Sequence, residues 1–346
     1  MPPPVAPPPA PAKPAEYWKD ASLKLAKGSI DAKYATAKKK TATAPHNYVS
    51  DLQKDLIELG YLKVGADDGS FGDGTERALK RLQRHARASL RMHAGAAAVG
   101  IPWVGTATGV CDQNTAKEVR VWIDKKYRLP LGVYKVVAID GGRLREDVSK
   151  LWKTALDDVV KKGAILLPPG KTAKEYYSDT TRNPTAGFTS TGGNSKFSLH
   201  YTGRAVDLSM EPNGGKGQRW WIEKETADGK TYWRIYCKTD KQDGTQGTKI
   251  AAKSKKHYVF WKNTGEQWIP EGYYLDLTAF LKEHEFERIP AQTGWETTAK
   301  KQEWWHFHYT KDLRETFQDE MELIGYSEAQ LIRAGWTPAE LDRKAG

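Results

Sequence analysis

Two segments of this chain carry side chains that could hold a metal ion and activate water. In the segment SLHYTGRAVD, His200 precedes a glycine-containing turn and Asp207 lies in a short predicted strand seven residues later. Glu303 and His306 follow much further along the chain, separated by two tryptophans. Zinc accepts imidazole nitrogens and carboxylate oxygens when packing holds converging segments rigid. These four side chains therefore predict a zinc site with three ligands and one acid/base.

The predicted assignment of three ligands and one acid/base leaves one coordination position on the metal open. Three protein ligands leave the fourth zinc position to a water molecule, whose pKa falls to about 7 there. Glu303 lies three residues before His306, close enough to take the proton of that water. If this segment is a strand, His308 shares a face with His306 and is either a competing ligand or a supporting partner.

Cysteine usage limits the kind of metal site that the chain can form. The 346 residues include only Cys111 and Cys237, which lie far apart. They predict neither a disulfide framework nor a cysteine-rich metal site. Any metal must therefore be held by histidine and carboxylate.

The positive charge is concentrated in the N-terminal tail. Of the formal net charge of +11, residues 1–45 contribute +5 and residues 131–346 only +3. No fold signature of nucleic-acid binding accompanies this charge, so we expect no nucleic-acid partner. The Pro-, Ala- and Lys-rich tail predicts a solvated linker, with weak contact to an anionic surface as the alternative. The mean hydropathy of -0.69 and the lack of a long apolar run predict no transmembrane helix.

Residues 46–130 predict a bundle of three helices. Apolar residues repeat at helical spacing from Val49 to Leu59, and a glycine-rich turn at 67–75 leads into a second amphipathic helix. A similar turn and helix recur from Thr108, after an Ala/Gly-rich insertion near 94–109. The pattern resembles the peptidoglycan-binding domain of many cell-wall hydrolases. The positions that carry this resemblance are Leu52, Gln53, Leu56, Leu59, Gly60, Tyr61, Leu62, Asp68, Gly69, Phe71, Gly72, Thr75, Leu82 and Gln83.

The rest of the chain predicts an α+β domain. Between residues 131 and 318, helical patterns mix with sequence-adjacent strands, which favours a small antiparallel sheet with flanking helices. Asp228-Gly229 predicts a hairpin within a mostly β insertion at 214–270. Residues 319–346 contain a short repeat that predicts two stacked helices.

The metal-binding segments resemble a second family. The motifs S-x-H-x-x-G-x-A-x-D and E-x-x-H are similar to those of the zinc D-Ala-D-Ala carboxypeptidases, a family that includes dipeptidases and L-alanyl-D-glutamate endopeptidases. The matching positions are Ser198, His200, Gly203, Ala205, Asp207, Glu303 and His306. The resemblance spans roughly residues 131–315, and the insertion departs most from it.

This resemblance implies a role for each residue. It implies that His200, Asp207 and His306 bind Zn²⁺ and that Glu303 is the catalytic base. It also implies an arginine upstream of the first histidine that holds the substrate carbonyl or the oxyanion, for which Arg182 is the best candidate. Ser198 would help to anchor a substrate carboxylate or amide.

Together these features predict a zinc-dependent peptidase of bacterial peptidoglycan, acting on stem peptides as an endopeptidase or a D,D-carboxypeptidase. A phage endolysin is the favoured hypothesis, and a secreted antibacterial effector or a non-catalytic wall-binding protein are the alternatives. The N-terminus lacks the basic and apolar regions of a Sec signal peptide. We therefore expect synthesis in the cytoplasm and action on the wall, in the periplasm or outside, after release or export. The bond that is cut and the oligomeric state stay open.

Overall fold

The protein forms two compact units that divide between Val133 and Tyr134. Helices and small antiparallel sheets occur together, so the predicted α+β class is confirmed. Among the residues described, no helix is both long and apolar enough to span a bilayer. The computed structural model describes residues 16–38, 40–44, 46–93, 96–99, 102–166, 177–184, 195–209, 220–258, 266–298 and 301–345.

The N-terminal unit is mainly helical. Its helices are a 3-10 turn (Tyr17–Lys19), α1 (Ala32–Ala37), α2 (Tyr48–Glu58), α3 (Asp73–Arg87) and α4 (Gln113–Asp124). Its strands are β1 (Lys24–Leu25), β2 (Leu90–His93), β3 (Ala96–Val99), β4 (Cys111–Asp112) and β5 (Tyr127–Arg128). Leu52 and Leu56 of α2, Leu79 of α3, and Val119 and Trp122 of α4 are fully buried in one core. The predicted three-helix arrangement corresponds to α2, α3 and α4.

The segment before α2 belongs to this unit. The assignment of residues 1–45 to a tail or linker is wrong for residues 16–38 and 40–44, although the proline-rich stretch 1–14 lies outside the described residues. Tyr17 is buried in the helical core, and its hydroxyl donates to Asp55 over 2.5 Å. The buried Asp31 accepts the amide hydrogens of Val49 and Ser50, which have no partner within α2 because they lie in its first turn. The segment thus completes the core and caps a helix.

The C-terminal unit contains more strands than helices. Its helices are α5 (Glu146–Lys161), α6 (Leu277–Glu283), α7 (Phe317–Leu323), α8 (Glu328–Arg333) and α9 (Pro338–Leu341). Its strands are β6 (Val136–Ile139), β7 (Gly142–Arg145), β8 (Tyr177–Asp179), β9 (Ala205–Leu208), β10 (Trp220–Ala227), β11 (Lys230–Lys238), β12 (Thr248–Ile250), β13 (Lys256–Tyr258), β14 (Glu266–Trp268), β15 (Gly272–Asp276), β16 (Phe286–Arg288) and β17 (His306–Tyr309).

Two four-stranded antiparallel sheets organise this unit. One has the order β16-β17-β9-β8, and the other has the order β10-β11-β15-β12. Trp152 of α5, Val206 of β9, Trp220 of β10 and Phe307 of β17 are buried in one hydrophobic cluster. The strands of the insertion therefore share the core of the sheet that carries His306 and Asp207.

The hairpin predicted at Asp228-Gly229 joins β10 to β11. Both residues have positive φ, 51° and 70°, which matches the two-residue turns that follow the twist of hairpin strands. The described parts of the predicted insertion at 214–270 are mainly β-strand, from β10 to β14.

The C-terminal segment contains the predicted repeat, but it packs against the turn after His200 and does not form a separate domain. The two predicted short helices are α8 and α9, and each begins with a capping box, at Ser327 and Thr337. However, α7 runs across the predicted boundary between residues 318 and 319. Its buried Phe317 and Met321 share a cluster with Tyr201, which lies in the turn between His200 and β9. The predicted domain boundary is wrong because these apolar residues of α7 pack against that turn.

Candidate metal centre

His200, Asp207 and His306 bring their ligand atoms within 4.8 Å of one another. The sheet register places Asp207 of β9 directly opposite His306 of β17. Asp207 Oδ1 lies 2.8 Å from His306 Nδ1 and 3.1 Å from His200 Nε2, and the two ring nitrogens are 3.3 Å apart. Two imidazole nitrogens and one carboxylate oxygen that face a common point form a donor set suited to zinc with an open fourth position.

The ring of His200 is oriented by the backbone. Its Nδ1 lies 2.6 Å from the carbonyl oxygen of Thr180. A carbonyl oxygen only accepts hydrogen bonds, so Nδ1 carries the proton and Nε2 presents a lone pair to Asp207 and His306. Such a contact on the opposite ring nitrogen is the usual way in which proteins fix a metal-binding histidine. The three residues therefore fit a bound zinc ion.

Burial and hydrogen bonding set the charges of the three side chains. Burial alone would raise the pKa of Asp207, but its close contacts with the imidazoles of His200 and His306 outweigh burial and lower that pKa below its usual range. Burial lowers the pKa of His306, although Asp207 opposes this effect. A carboxylate and a neutral imidazole are the protonation states that a metal ion requires.

Glu303 lies beside the group rather than in it. It occupies the turn before β17, with φ of +57°, and its carbonyl oxygen accepts the amide hydrogen of His306. Its carboxylate accepts a hydrogen bond from the side-chain amide of Gln292. Burial, followed by the charge of Asp207, raises the pKa of Glu303. A raised carboxylate pKa favours proton transfer near neutral pH.

Arg182 lies at the edge of the same group. Its Nε donates to Asp179 Oδ2 over 2.5 Å, and its Nη2 is 4.0 Å from Asp207 Oδ2. The amide of Arg182 also donates to the carbonyl oxygen of His200 over 3.1 Å. The guanidinium therefore lies beside the carboxylate of the candidate centre.

Ser198 and His308 have different surroundings. Ser198 Oγ accepts the amide hydrogen of His200 over 3.4 Å, a long contact within the turn, and its role in substrate binding stays a prediction. The ring of His308 lies 5.5 Å from that of His306, but His308 does not join the group of ligand atoms. Burial, with the neighbouring histidines, lowers the pKa of His308 to about 3, so it is neutral.

Two supporting residues could not be found from sequence reasoning. Gln292 holds Glu303, and Thr180 orients His200 through its carbonyl oxygen. No sequence motif marks either residue. Thr180 acts through its backbone carbonyl, which any residue type could supply, and Gln292 lies in an irregular loop.

The turn between His200 and Asp207 depends on Gly203. Its φ is +71°, and a Cβ there would lie 2.8 Å from the Arg145 amide nitrogen, which donates to the Gly203 carbonyl oxygen. Gly229 has nearly the same φ, +70°, but a Cβ there would meet nothing within 4 Å. The two glycines share a backbone conformation and differ in available space.

We expect Gly203→Ala to lower the free energy of unfolding by about 2–4 kcal/mol, since the strained φ and the steric clash add. Gly229→Ala is the matched control and should cost about 1 kcal/mol, from φ alone. Urea titration of both variants measures the difference. Equal losses would contradict the close approach of Gly203 to Arg145.

The N-terminal unit contains a repeated polar arrangement. The side-chain carbonyl of the buried Gln53 accepts the amide hydrogen of Gly69, and its amide donates to the Thr75 hydroxyl. Gln83 makes the same pair of contacts, with Gly109 and Thr115. Each glutamine thus ties a glycine turn to the start of the next helix.

Comparison with known families bears on this unit. Residues 45–88 match the family model of a peptidoglycan binding domain. The match covers α2, α3 and the turn between them. It supports the predicted N-terminal binding domain over these residues, and it supports peptidoglycan as a partner of the chain. The searches of curated proteins and of solved structures found no match.

Proposed function

We propose that this protein is a zinc-dependent peptidoglycan peptidase that cleaves stem peptides. The observation that carries the proposal is the convergence of His200 Nε2, His306 Nδ1 and Asp207 Oδ1, with Glu303 beside them. The peptidoglycan-binding domain at residues 45–88 supports the choice of substrate. Such a domain raises the local concentration of the polymer for a second site on the same chain.

Each side chain of the centre has a task in this mechanism. His200, Asp207 and His306 would hold zinc, which supplies Lewis-acid chemistry by polarising the scissile carbonyl and lowering the pKa of water. Glu303 takes the proton of the attacking water and returns it to the leaving amine. Arg182 donates hydrogen bonds to the substrate oxygen as negative charge develops there. Gln292 holds the Glu303 carboxylate through its side-chain amide.

The biological setting is a further part of the proposal. We favour a phage endolysin, and a secreted antibacterial effector would use the same chemistry. A non-catalytic wall-binding protein is the alternative of a different class. It would bind walls through the N-terminal domain, contain no zinc and release no fragments.

Digestion of purified cell walls tests the proposal. We expect the full chain to release stem-peptide fragments, to lose this activity on treatment with a chelator and to regain it with zinc, because the centre has only histidine and carboxylate ligands. Mass spectrometry of the fragments identifies the bond that is cut. Cleavage that survives complete chelation would contradict the mechanism.

Zinc content separates the ligands from other histidines. His306→Ala should lower the bound zinc well below one ion per chain. His284→Ala is the control, because His284 is half-buried on the same unit but outside the ligand group. Atomic emission measures both variants, and full zinc content in His306→Ala would overturn the assignment.

A further inference from the structure

A cavity of about 390 Å³ lies on strands of the insertion, against β10, β13 and β14. This volume falls in the range of sites that bind small ligands. Its lining includes the side chains of Glu223, Lys224, Lys253, Lys256, Tyr258 and Trp268. None of them belongs to the metal centre or to the peptidoglycan-binding domain at 45–88.

An exposed indole ring forms part of this cavity. Trp268 is 48% exposed, and it is the one exposed tryptophan in the part of the chain that the structure describes. The ammonium group of Lys256 lies 5.6 Å from the centre of its ring. A large apolar ring at the surface costs free energy when solvated and is common where a ligand packs. The apolar face of a sugar ring is a flat partner of matching size.

The charges around the cavity favour an acidic ligand. Lys224, Lys253 and Lys256 bring three ammonium groups to its lining. Among the described residues that line the cavity, the one carboxylate is Glu223, which already accepts hydrogen bonds from Lys255 Nζ over 2.7 Å and from the Tyr236 hydroxyl over 2.8 Å. The lining therefore has an excess of positive charge over uncompensated negative charge, which complements carboxylates.

A chain of contacts joins the cavity to the proposed catalytic base. The ring of Tyr258 lies 5.6 Å from that of Trp295, and Lys224 Nζ lies 5.4 Å from the same indole. The amide of Trp295 donates to the carbonyl oxygen of Gln292, whose side chain in turn holds Glu303. The loop that contains Gln292 and Trp295 thus contacts two residues of the cavity and also holds the proposed base.

We infer that this cavity is a binding subsite for the glycan–peptide strand of peptidoglycan. A sugar ring stacks on Trp268, and the carboxylates of the muramyl peptide pair with Lys224, Lys253 and Lys256. The inference rests on the proposed function for its choice of substrate. In this subsite the insertion would bind the polymer close to the candidate metal centre.

Calorimetric titration with a soluble muropeptide, a disaccharide that carries an acidic stem peptide, tests the subsite. The parent is the full chain with Glu303→Gln, so that the ligand stays uncleaved. We expect Trp268→Ala and Lys253→Glu each to weaken binding about tenfold, as loss of an anchoring contact does. Leu151→Ala and Lys161→Glu, exposed positions on α5, are the controls and should bind as the parent does. The N-terminal domain contributes equally in all variants.

Two further ligands identify the occupant. A chitooligosaccharide, which lacks carboxylates, should bind more weakly than the muropeptide and should not respond to Lys253→Glu. Equal affinity for both saccharides would overturn the role of the lysines. Binding to anionic vesicles that depends on Trp268, without binding of the muropeptide, would overturn the subsite in favour of a membrane surface.

The outcome is separable from that of the proposed function. Loss of muropeptide binding in Trp268→Ala supports the subsite even if the wild-type chain cleaves nothing. Chelator-sensitive cleavage combined with unchanged binding in Trp268→Ala and Lys253→Glu would reject the subsite and leave the peptidase. With Glu303 intact, Trp268→Ala should raise KM for cell walls, whereas the control Leu151→Ala should not.

Discussion

Glu303→Gln should lower kcat for stem-peptide cleavage by about 10²–10⁴-fold, the contribution typical of a general base. Glutamine has the size of glutamate and can still form a hydrogen bond with Gln292, but it cannot accept the proton of water. Because Glu303 lies outside the group of ligand atoms, zinc content should stay at the wild-type level. The variant therefore separates proton transfer from metal binding.

The experiment needs both a rate and a metal measurement. Turnover of a defined muropeptide gives kcat, and atomic emission gives zinc per chain. Glu287→Gln is the matched control, since Glu287 is an exposed glutamate on the neighbouring strand β16. Full activity of Glu303→Gln would reject the general base, and loss of its zinc would make Glu303 a ligand instead.

The candidate metal centre shows which parts of a site sequence patterns can predict. The motif spacing suggested that a strand with Asp207 and a segment with His306 converge. Their direct pairing, across 99 residues of chain, depends on the register between β9 and β17. Register follows from which faces are buried on both strands and cannot be derived from either strand alone. The sequence therefore indicates which side chains converge better than it indicates their geometry.

Local structure can be predicted from the sequence where a short motif determines the backbone conformation. Asp228-Gly229 predicted a hairpin because few residues adopt positive φ at both positions of a tight turn. Residues 16–44 gave no such signal, since their Ala- and Lys-rich composition lacks an apolar period. Their place in the core depends on partners such as Asp55, which contacts Tyr17 across 38 residues.

The glutamines of the binding domain give a physical reason for a sequence pattern. Gln53 and Gln83 occupy matching places in the resemblance, and both are buried. A buried amide must satisfy its donors and its acceptor, and each glutamine does so with a glycine amide and a threonine hydroxyl. The pattern of Gln, Gly and Thr thus reflects one hydrogen-bonded unit that occurs twice.

A buried charge network links α7 to the segment between His200 and Asp207. Glu320 is fully buried and accepts two hydrogen bonds from Arg204, over 2.7 and 3.0 Å. It also accepts from Arg145 Nη1 over 2.8 Å. Arg204 lies between His200 and Asp207, and its guanidinium donates to the carbonyl oxygen of Lys311, just beyond β17. The network therefore connects α7 to the chain before β9, which contains Asp207, and to the chain after β17, which contains His306.

Glu320→Ala should lower the free energy of unfolding by about 3–5 kcal/mol, the range for breaking a buried ion pair. The loss is large because Arg204 and Arg145 keep their charges while the carboxylate that compensates them disappears. Arg145 retains Asp147, over 2.7 and 2.8 Å, so Arg204 bears most of the effect. Urea titration with zinc held at saturation measures the change, since zinc bound to the folded state adds to stability.

Two companion variants decide whether charge or packing causes the loss. Asp157→Ala breaks the exposed Lys153–Asp157 pair on α5 and should cost far less, because water screens that pair. The double variant Arg204→Met with Glu320→Leu removes both charges, and it should be more stable than Glu320→Ala alone. A double variant that is less stable would show that the hydrogen bonds of Arg204 to the chain after β17 matter more than its pairing with Glu320. Zinc affinity should then follow Arg204, because its guanidinium joins the segment between His200 and Asp207 to the chain after β17 and to α7.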